Sequence, residues 1–306
     1  GAGFIGSHLA ESLVRQGHEV VVVDNLFDGK KENLNSVMDS IEFLEGDIRD
    51  KDLMEKACKG ADFILHQAAR RSVPASLREP FEYNDANING TLNILEAARR
   101  NDVKRVVMAS SSSVYGDVSE FPQKETAKPD PRSPYALTKL AGEHYLRIYW
   151  KLYNLETVSL RYFNVFGPRQ DPNSQYAVVI PLFIKAISEG KPPTIFGDGE
   201  QSRDFTYIAN VVEGNLKACT APRAAGEVFN IADGNSISVN HIAQKINELL
   251  GKDIKPVHTE ERAGDVKKTQ ADNSKARELL GYEGNVGFEE GMKNTVEWFR
   301  KEFNKK

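Results

Sequence analysis

Gly1-Ala2-Gly3-Phe4-Ile5-Gly6-Ser7-His8, followed by the apolar run Val20-Val21-Val22-Val23 and Asp24, is the stretch that decides how this 306-residue chain is read. It has the form of a glycine-rich turn entering a helix. Gly3 lets a ligand backbone approach, and Gly6 allows close packing of helix on sheet. The free N–H groups of the first helical turn and the positive end of the helix dipole favour a bound phosphate. The valine run is strand-sized and ends in a carboxylate about twenty residues past the loop.

That spacing suits an acid holding the ribose diol of a dinucleotide. Asp24 would repel a 2′-phosphate, so NAD is expected over NADP. Gly3, Phe4, Ile5, Gly6, Asp24 and Asn25 are the first candidate cofactor residues. Asp47 and Ile48 end the next strand, and Gln67, Ala68 and Ala69 end another. Successive strand ends form the rim that a dinucleotide would cross. A phosphate-binding loop normally follows a buried strand, so about ten further residues are expected upstream of Gly1.

Working outward, short β-branched runs alternate with helical stretches as far as residue 162. The strands are expected at Glu19–Asp24, Ile41–Glu45, Phe63–Gln67, Arg105–Ser110 and Thr157–Arg161, with helices at Ser7–Gln16, Lys51–Cys58, Ala86–Arg100 and Tyr135–Tyr153. Alternation of this kind implies an α/β fold, a Rossmann-type doubly wound parallel sheet. From 163 to 306 the regularity breaks into Pro-, Gly- and Asp-rich loops with helices at Val239–Leu250, Asn273–Leu280 and Phe288–Lys301. This half reads as a smaller mixed α/β substrate domain over the strand C-termini, with some segments returning to the sheet.

Composition excludes several classes. A formal charge of −4 argues against nucleic-acid or membrane-surface binding. No apolar run reaches membrane-spanning length. Two isolated cysteines, Cys58 and Cys219, suggest neither a disulfide framework nor a metal site, and fit a cytoplasmic protein.

Tyr135 and Lys139 lie four apart on a helix opening after Pro134, and so share one face. A phenol titrates near pH 10, so a base for neutral pH needs a shift of about three units, roughly 4 kcal/mol. An ammonium one turn away, together with a bound nicotinamide cation, could supply much of it. The hydroxyls of Ser110, Ser111, Ser112 and Ser113 end the fourth strand, where one can bond a sugar oxygen undergoing oxidation. Hydroxyl, phenol and ammonium make the relay expected for hydride chemistry at a carbinol carbon.

Gly1–His8, the run Gly46-Asp47-Ile48-Arg49-Asp50, Ser110–Asp117, Ser133–Lys139 and Leu160–Gly167 resemble the extended short-chain dehydrogenase/reductase family, most of all its UDP-hexose 4-epimerases. The likeness runs through essentially the whole chain. It implies that Tyr135 is the base, that Lys139 holds the nicotinamide ribose, and that Ser111 bonds the C4 oxygen of the sugar. Asn87, Ser110 and Tyr162 match further cofactor contacts. Ser112, Asn164, Val179, Ile180, Thr194, Phe196, Arg203, Arg262, Asp265 and Thr269 match the UDP-sugar pocket, with the two arginines on the diphosphate. The family gate beside C2 aligns with the small Thr269, which implies that an N-acetyl group fits.

Arg70 and Arg71 keep a UDP-glucuronate 4-epimerase open. Dehydratases and decarboxylases of the superfamily typically place an acid where Ser112 and Ser113 stand. A non-catalytic NAD-sensing protein commonly loses the tyrosine or lysine, and both are present here. Family likeness also implies a homodimer through the helices carrying the stripes Ile88, Leu92, Leu95 and Tyr145, Tyr149, Leu152.

Overall fold

A computed structural model describes residues 1–173, 178–261 and 266–303. In chain order the first half contains α1 (Phe4–Arg15), β1 (Val20–Asp24), β2 (Ile41–Glu45), α2 (Lys51–Cys58), β3 (Phe63–His66), α3 (Val73–Arg78), α4 (Pro80–Asn84), α5 (Gly90–Arg100), β4 (Arg105–Ser111), α6 (Pro134–Tyr153) and β5 (Glu156–Tyr162). The second half contains β6 (Val165–Phe166), α7 (Val179–Ser188), β7 (Thr194–Phe196), β8 (Ser202–Asp204), β9 (Thr206–Tyr207), α8 (Ile208–Thr220), β10 (Val228–Ile231), β11 (Ser236–Ser238), α9 (Val239–Leu250), β12 (Val257–Thr259), α10 (Ser274–Leu280) and α11 (Phe288–Phe303).

The principal sheet is parallel, in the order β10-β5-β4-β3, and β1 pairs with β2 in a parallel two-stranded sheet of its own. This is the Rossmann-type α/β architecture. Its central strands are buried along nearly their whole length, being covered on both faces. Val106 and Val107 of β4 and Val158 and Leu160 of β5 have no exposed surface. The second half contributes β10, which hydrogen-bonds β5 with Val228 opposite Ser159, and α8, whose Val211 and Ala218 join the core under β4 and β5. Three small pairs, β6 with β9, β7 with β12, and β8 with β11, build the region over the strand C-termini.

Two elements depart from the sequence expectation at the positions that matter. The helix expected to begin at Ser7 begins at Phe4, because the Gly3–Ser7 hydrogen bond already closes its first turn. The helix expected from Ala86 is regular only from Gly90. Asp85–Asn89 form a π-type turn between α4 and α5. Such wide turns occur where a side chain must be re-aimed, and this one carries Asn87.

Candidate active site

α6 organises the site. Ser133 caps it, its Oγ accepting from the Ala136 N–H at 3.1 Å, and Pro134 fills the first turn where no donor is needed. The helix crosses β4 closely because Gly142 has no side chain; a Cβ there would lie 2.8 Å from Met108 Sδ. With that crossing in place, one stripe of α6 meets three consecutive residues at the end of β4. The Tyr135 hydroxyl shares a hydrogen bond with Ser111, Lys139 Nζ donates to the Ala109 carbonyl at 2.7 Å, and Ser110 Oγ donates to Glu143. Ser113 Oγ donates to Ser111 Oγ at 2.8 Å, which orients the serine toward the phenol.

The electrostatics are those of a desolvated site. Burial pushes the Tyr135 phenol above its usual value, opposed by the Ser111 hydrogen bond and by the Arg71 guanidinium. Burial also draws Lys139 down to about 8, opposed by the Glu143 carboxylate. The protein alone therefore holds the phenol up. The lowering required of a base falls to charges that join it in the loaded enzyme.

The cofactor residues named from the sequence converge on one rim. A Cβ at Gly6 would lie 2.5 Å from the Gly1 carbonyl, whereas one at Gly3 would meet nothing within 4 Å. Only the second position faces open space. Phe4 and Ile5 are half-buried in the first turn of α1, and Phe4 meets His8 edge-on. Asp24 accepts from the N–H groups of Ala2 and Leu26, both at 2.8 Å, so it also fixes the glycine loop. Asn25 Nδ2 donates to Asp47 at 2.8 Å, while Arg49 holds Asp47 down to about 2. Ile48, Ala68 and Ala69 are half-buried along the same rim.

These residues fit a dinucleotide. The decisive observation is Lys139, a buried ammonium with one acceptor, Ala109 O, among the described residues. It has N–H groups left for a ribose diol.

Three further cofactor candidates have side chains hydrogen-bonded within the protein. Ser110 is 3% exposed and its hydroxyl turns to Glu143, because β-strand alternation points it to the face opposite Ser111. Asn87 spends its amide on the Arg70 backbone (N–H and carbonyl) and on Thr138 Oγ1, clamping the loop after β3 to α6. The Tyr162 hydroxyl lies 3.2 Å from Gln67 Oε1 and 3.0 Å from Asn215 Oδ1. Asn215 was not foreseen; its only signal was a polar residue on the apolar face of α8.

At the other end, Asn164 Nδ2 donates to Asp204 O at 3.1 Å and lies 3.4 Å from Thr269 Oγ1, which in turn accepts the Asp204 N–H at 3.1 Å. Arg203 precedes Asp204 on β8, and its guanidinium reaches the Ser202 carbonyl. Ser112 begins the turn after β4. Val179 and Ile180 open α7, but Ile180 is fully buried in the core, since the helical period turns it inward while Val179 stays at the rim. On β7, Ile195 is buried, whereas Thr194 is exposed and Phe196 half-buried on the other face. Arg262 and Asp265 lie outside the described residues.

Sequence reasoning passed over two charged groups. One is Glu143, one turn beyond Lys139. The other is Asp204, whose carboxylate accepts the N–H groups of Asp233, Gly234 and Ala271 and ties two loops to the end of β8. Glu143 had a signal in the repeated four-residue spacing, whereas Asp204, within Gln201-Ser202-Arg203-Asp204-Phe205-Thr206, had none.

Comparison with known proteins gives a consistent picture. Residues 1–232 match the NAD dependent epimerase/dehydratase family. The chain is 42% identical to a UDP-glucuronate 4-epimerase of Thermodesulfobacterium geofontis, covering 97% of this chain and 93% of that one. It superposes on a UDP-glucose 4-epimerase of Thermotoga maritima, crystallised with UDP-glucose, with a TM-score of 0.94, 42% identity and coverage of 99% and 97%. It also superposes on a UDP-N-acetylglucosamine 4-epimerase of Methanobrevibacter ruminantium, in complex with UDP-N-acetylmuramic acid, with a TM-score of 0.93, 41% identity and coverage of 98% and 96%. The chain belongs to the NAD-dependent epimerase/dehydratase family, within the extended short-chain dehydrogenases/reductases, and is an NAD-dependent isomerase.

Proposed function

We propose that the protein inverts C4 of a UDP-hexose, UDP-glucose/UDP-galactose and also the N-acetylated pair, through a transient 4-keto sugar. The observation that carries the reading is the stripe of α6 against the end of β4, which joins Tyr135 to Ser111 and buries Lys139 beneath them. Bound NAD supplies the acceptor, and later the donor, of the C4 hydride. Ser111 orients the C4 hydroxyl, and Tyr135 takes its proton and returns it. Lys139 holds the nicotinamide ribose and favours the phenolate.

Three relatives of nearly equal identity carry three different sugars, so identity alone does not select the substrate. Thr269 supports the N-acetyl option, being small and drawn back by its bond to the Asp204 N–H. Its position relative to Asn164 and Arg203 supports a diphosphate-sugar pocket there, to which Arg262 and Asp265 are proposed to contribute. A uronate reading has one observation in its favour. Arg71 is half-exposed, 3.8 Å from Asp28, and acts electrostatically on Tyr135. Arg70 supports it less, being held by Glu79 at 3.0 Å and stacked on Phe27.

Separate incubation with UDP-glucose, UDP-N-acetylglucosamine and UDP-glucuronate, followed by analysis of C4 configuration, tests the proposal. Inversion of the first two supports it. Exclusive inversion of the third selects the uronate reading, and loss of water or CO₂ rejects both.

The homodimer is proposed on a face different from the one first named. Leu95 and Tyr149 are buried in the subunit core, so those stripes are partly spent. Leu137, Ile148 and Leu152 remain exposed on α6, the last at 71%. Light scattering checks this.

A further inference from the structure

Behind the Tyr135–Lys139 pair lies a buried polar cluster that the proposed chemistry does not use. Glu143 continues the α6 stripe one turn past Lys139. Both of its oxygens are bonded to Arg161 of β5, Oε1 to Nε at 2.9 Å and Oε2 to Nη2 at 2.7 Å. Oε1 also accepts from Ser110. Arg161 lies 4.6 Å from the centre of the Tyr115 ring, whose hydroxyl donates to Asn230. The side chains of Glu143 and Arg161 are about 5% exposed, at 5% and 4%.

A desolvated ion pair of this kind contributes little net stability compared with apolar packing, so stability is a weak reason for its presence. Its placement offers another. In the parallel register, Arg161 stands opposite Ser110, between the carbonyl that receives Lys139 and the serine that meets Tyr135.

We infer that Glu143, fixed by Arg161 and Ser110, is a positioning residue for the reaction: it keeps the Lys139 ammonium charged and the end of β4 in register with α6. This rests on Tyr135 and Lys139 being the acid–base pair proposed above. The other groups facing that pair are accounted for. His66 of β3 is held neutral by burial, drawn down to about 3; Tyr83 of α4 meets Tyr135 edge-on at 6.5 Å; Arg71 follows β3. The carboxylate that acts on Lys139 is Glu143. Arg161 therefore reaches the ammonium through that carboxylate.

The test compares the NAD-loaded wild type with Glu143→Gln and Glu143→Asp. In the glutamine variant the alkaline limb of the pH–kcat profile moves down by about one unit, the effect of losing one opposite charge. The aspartate variant retains the charge and keeps the limb in place, with a lower kcat. A second readout needs no sugar. The phenolate difference spectrum of Tyr135, taken against Tyr135→Phe, moves to higher pH in Glu143→Gln.

If Glu143→Gln lowers kcat equally at every pH and leaves the phenolate titration unmoved, the inference is overturned and the pair is structural. Should Glu143→Gln fail to fold because Arg161 is left unpaired, Glu143→Gln/Arg161→Met removes both charges; loss of the cation offsets part of the effect, so the limb should move in the same direction by less, and an unmoved limb overturns the inference. Because the phenolate titration is read without substrate, failure of the epimerase reading would leave it interpretable.

Discussion

The end of β4 and the rim around Asn164, Asp204 and Thr269 are both buried polar sites, yet they are built in opposite ways. At β4 one helix supplies Tyr135, Lys139 and Glu143 from successive turns, so the geometry follows from helical spacing and one close crossing. At the rim, residues about 40 and 105 positions apart are brought together by the Asn164 amide, and loops near 233 and 271 are gathered by the Asp204 carboxylate. The first site is therefore held by a rigid element, whereas the second is held by long-range hydrogen bonds.

The sharpest way to break this contrast is Tyr135→Phe. It should leave the fold and NAD retention intact and lower kcat for C4 inversion by on the order of a thousandfold, since general acid–base catalysis is worth about 10²–10⁴. Steady-state kinetics with UDP-glucose decide. Activity close to wild type would move the acid–base role away from α6.

Asp204→Ala should act on the other region and on stability. It strips acceptors from three backbone N–H groups and should cost on the order of 3 kcal/mol in denaturant unfolding. Asp204 also provides a pH test. Burial pushes its carboxyl up to about 7, whereas an unfolded aspartate titrates at about 3.9. Between these values the native state binds the extra proton. This group's contribution is therefore complete below the lower value and is lost as pH rises through about 7. Asp204→Asn should flatten that slope, and unfolding measured at the two ends of the window shows whether it does.

Enlarging Thr269 to tyrosine tests whether the rim sets specificity. Turnover of UDP-N-acetylglucosamine should fall about 10–100-fold relative to UDP-glucose, the range one apolar pocket commands. Equal losses for both sugars would remove Thr269 from the gate. The smallest effect is expected at the surface. Arg49→Ala breaks the pair with Asp47, with side chains 36% and 25% exposed, and should change stability by less than about 1 kcal/mol.

Much of the catalytic end was legible beforehand. Tyr135 and Lys139 share a face because of spacing alone, and a pure valine run ending in Asp24 reads as a parallel strand from composition. That Ser110 turns its hydroxyl to Glu143 was not legible, because consecutive strand residues face opposite ways and which hydroxyl meets the phenol depends on how β4 lies under α6. The inward turn of the Ile180 side chain was not legible for the same reason on a helix. Asn215 and Asp204 could not be chosen in advance, because their partners lie 53 residues away in one case and up to 67 in the other.

What the sequence determined by itself was local and periodic: the glycine loop, the alternation of strands and helices, and the four-residue stripe of α6. Those follow from backbone sterics and helical geometry, which act over a few residues. The tertiary structure alone decided which buried polar groups answer one another, including Glu143 with Arg161, Asp204 with two loops, and Tyr162 with Gln67 and Asn215. Each such group must find a partner once water is excluded, and that partner is supplied by packing across the whole chain.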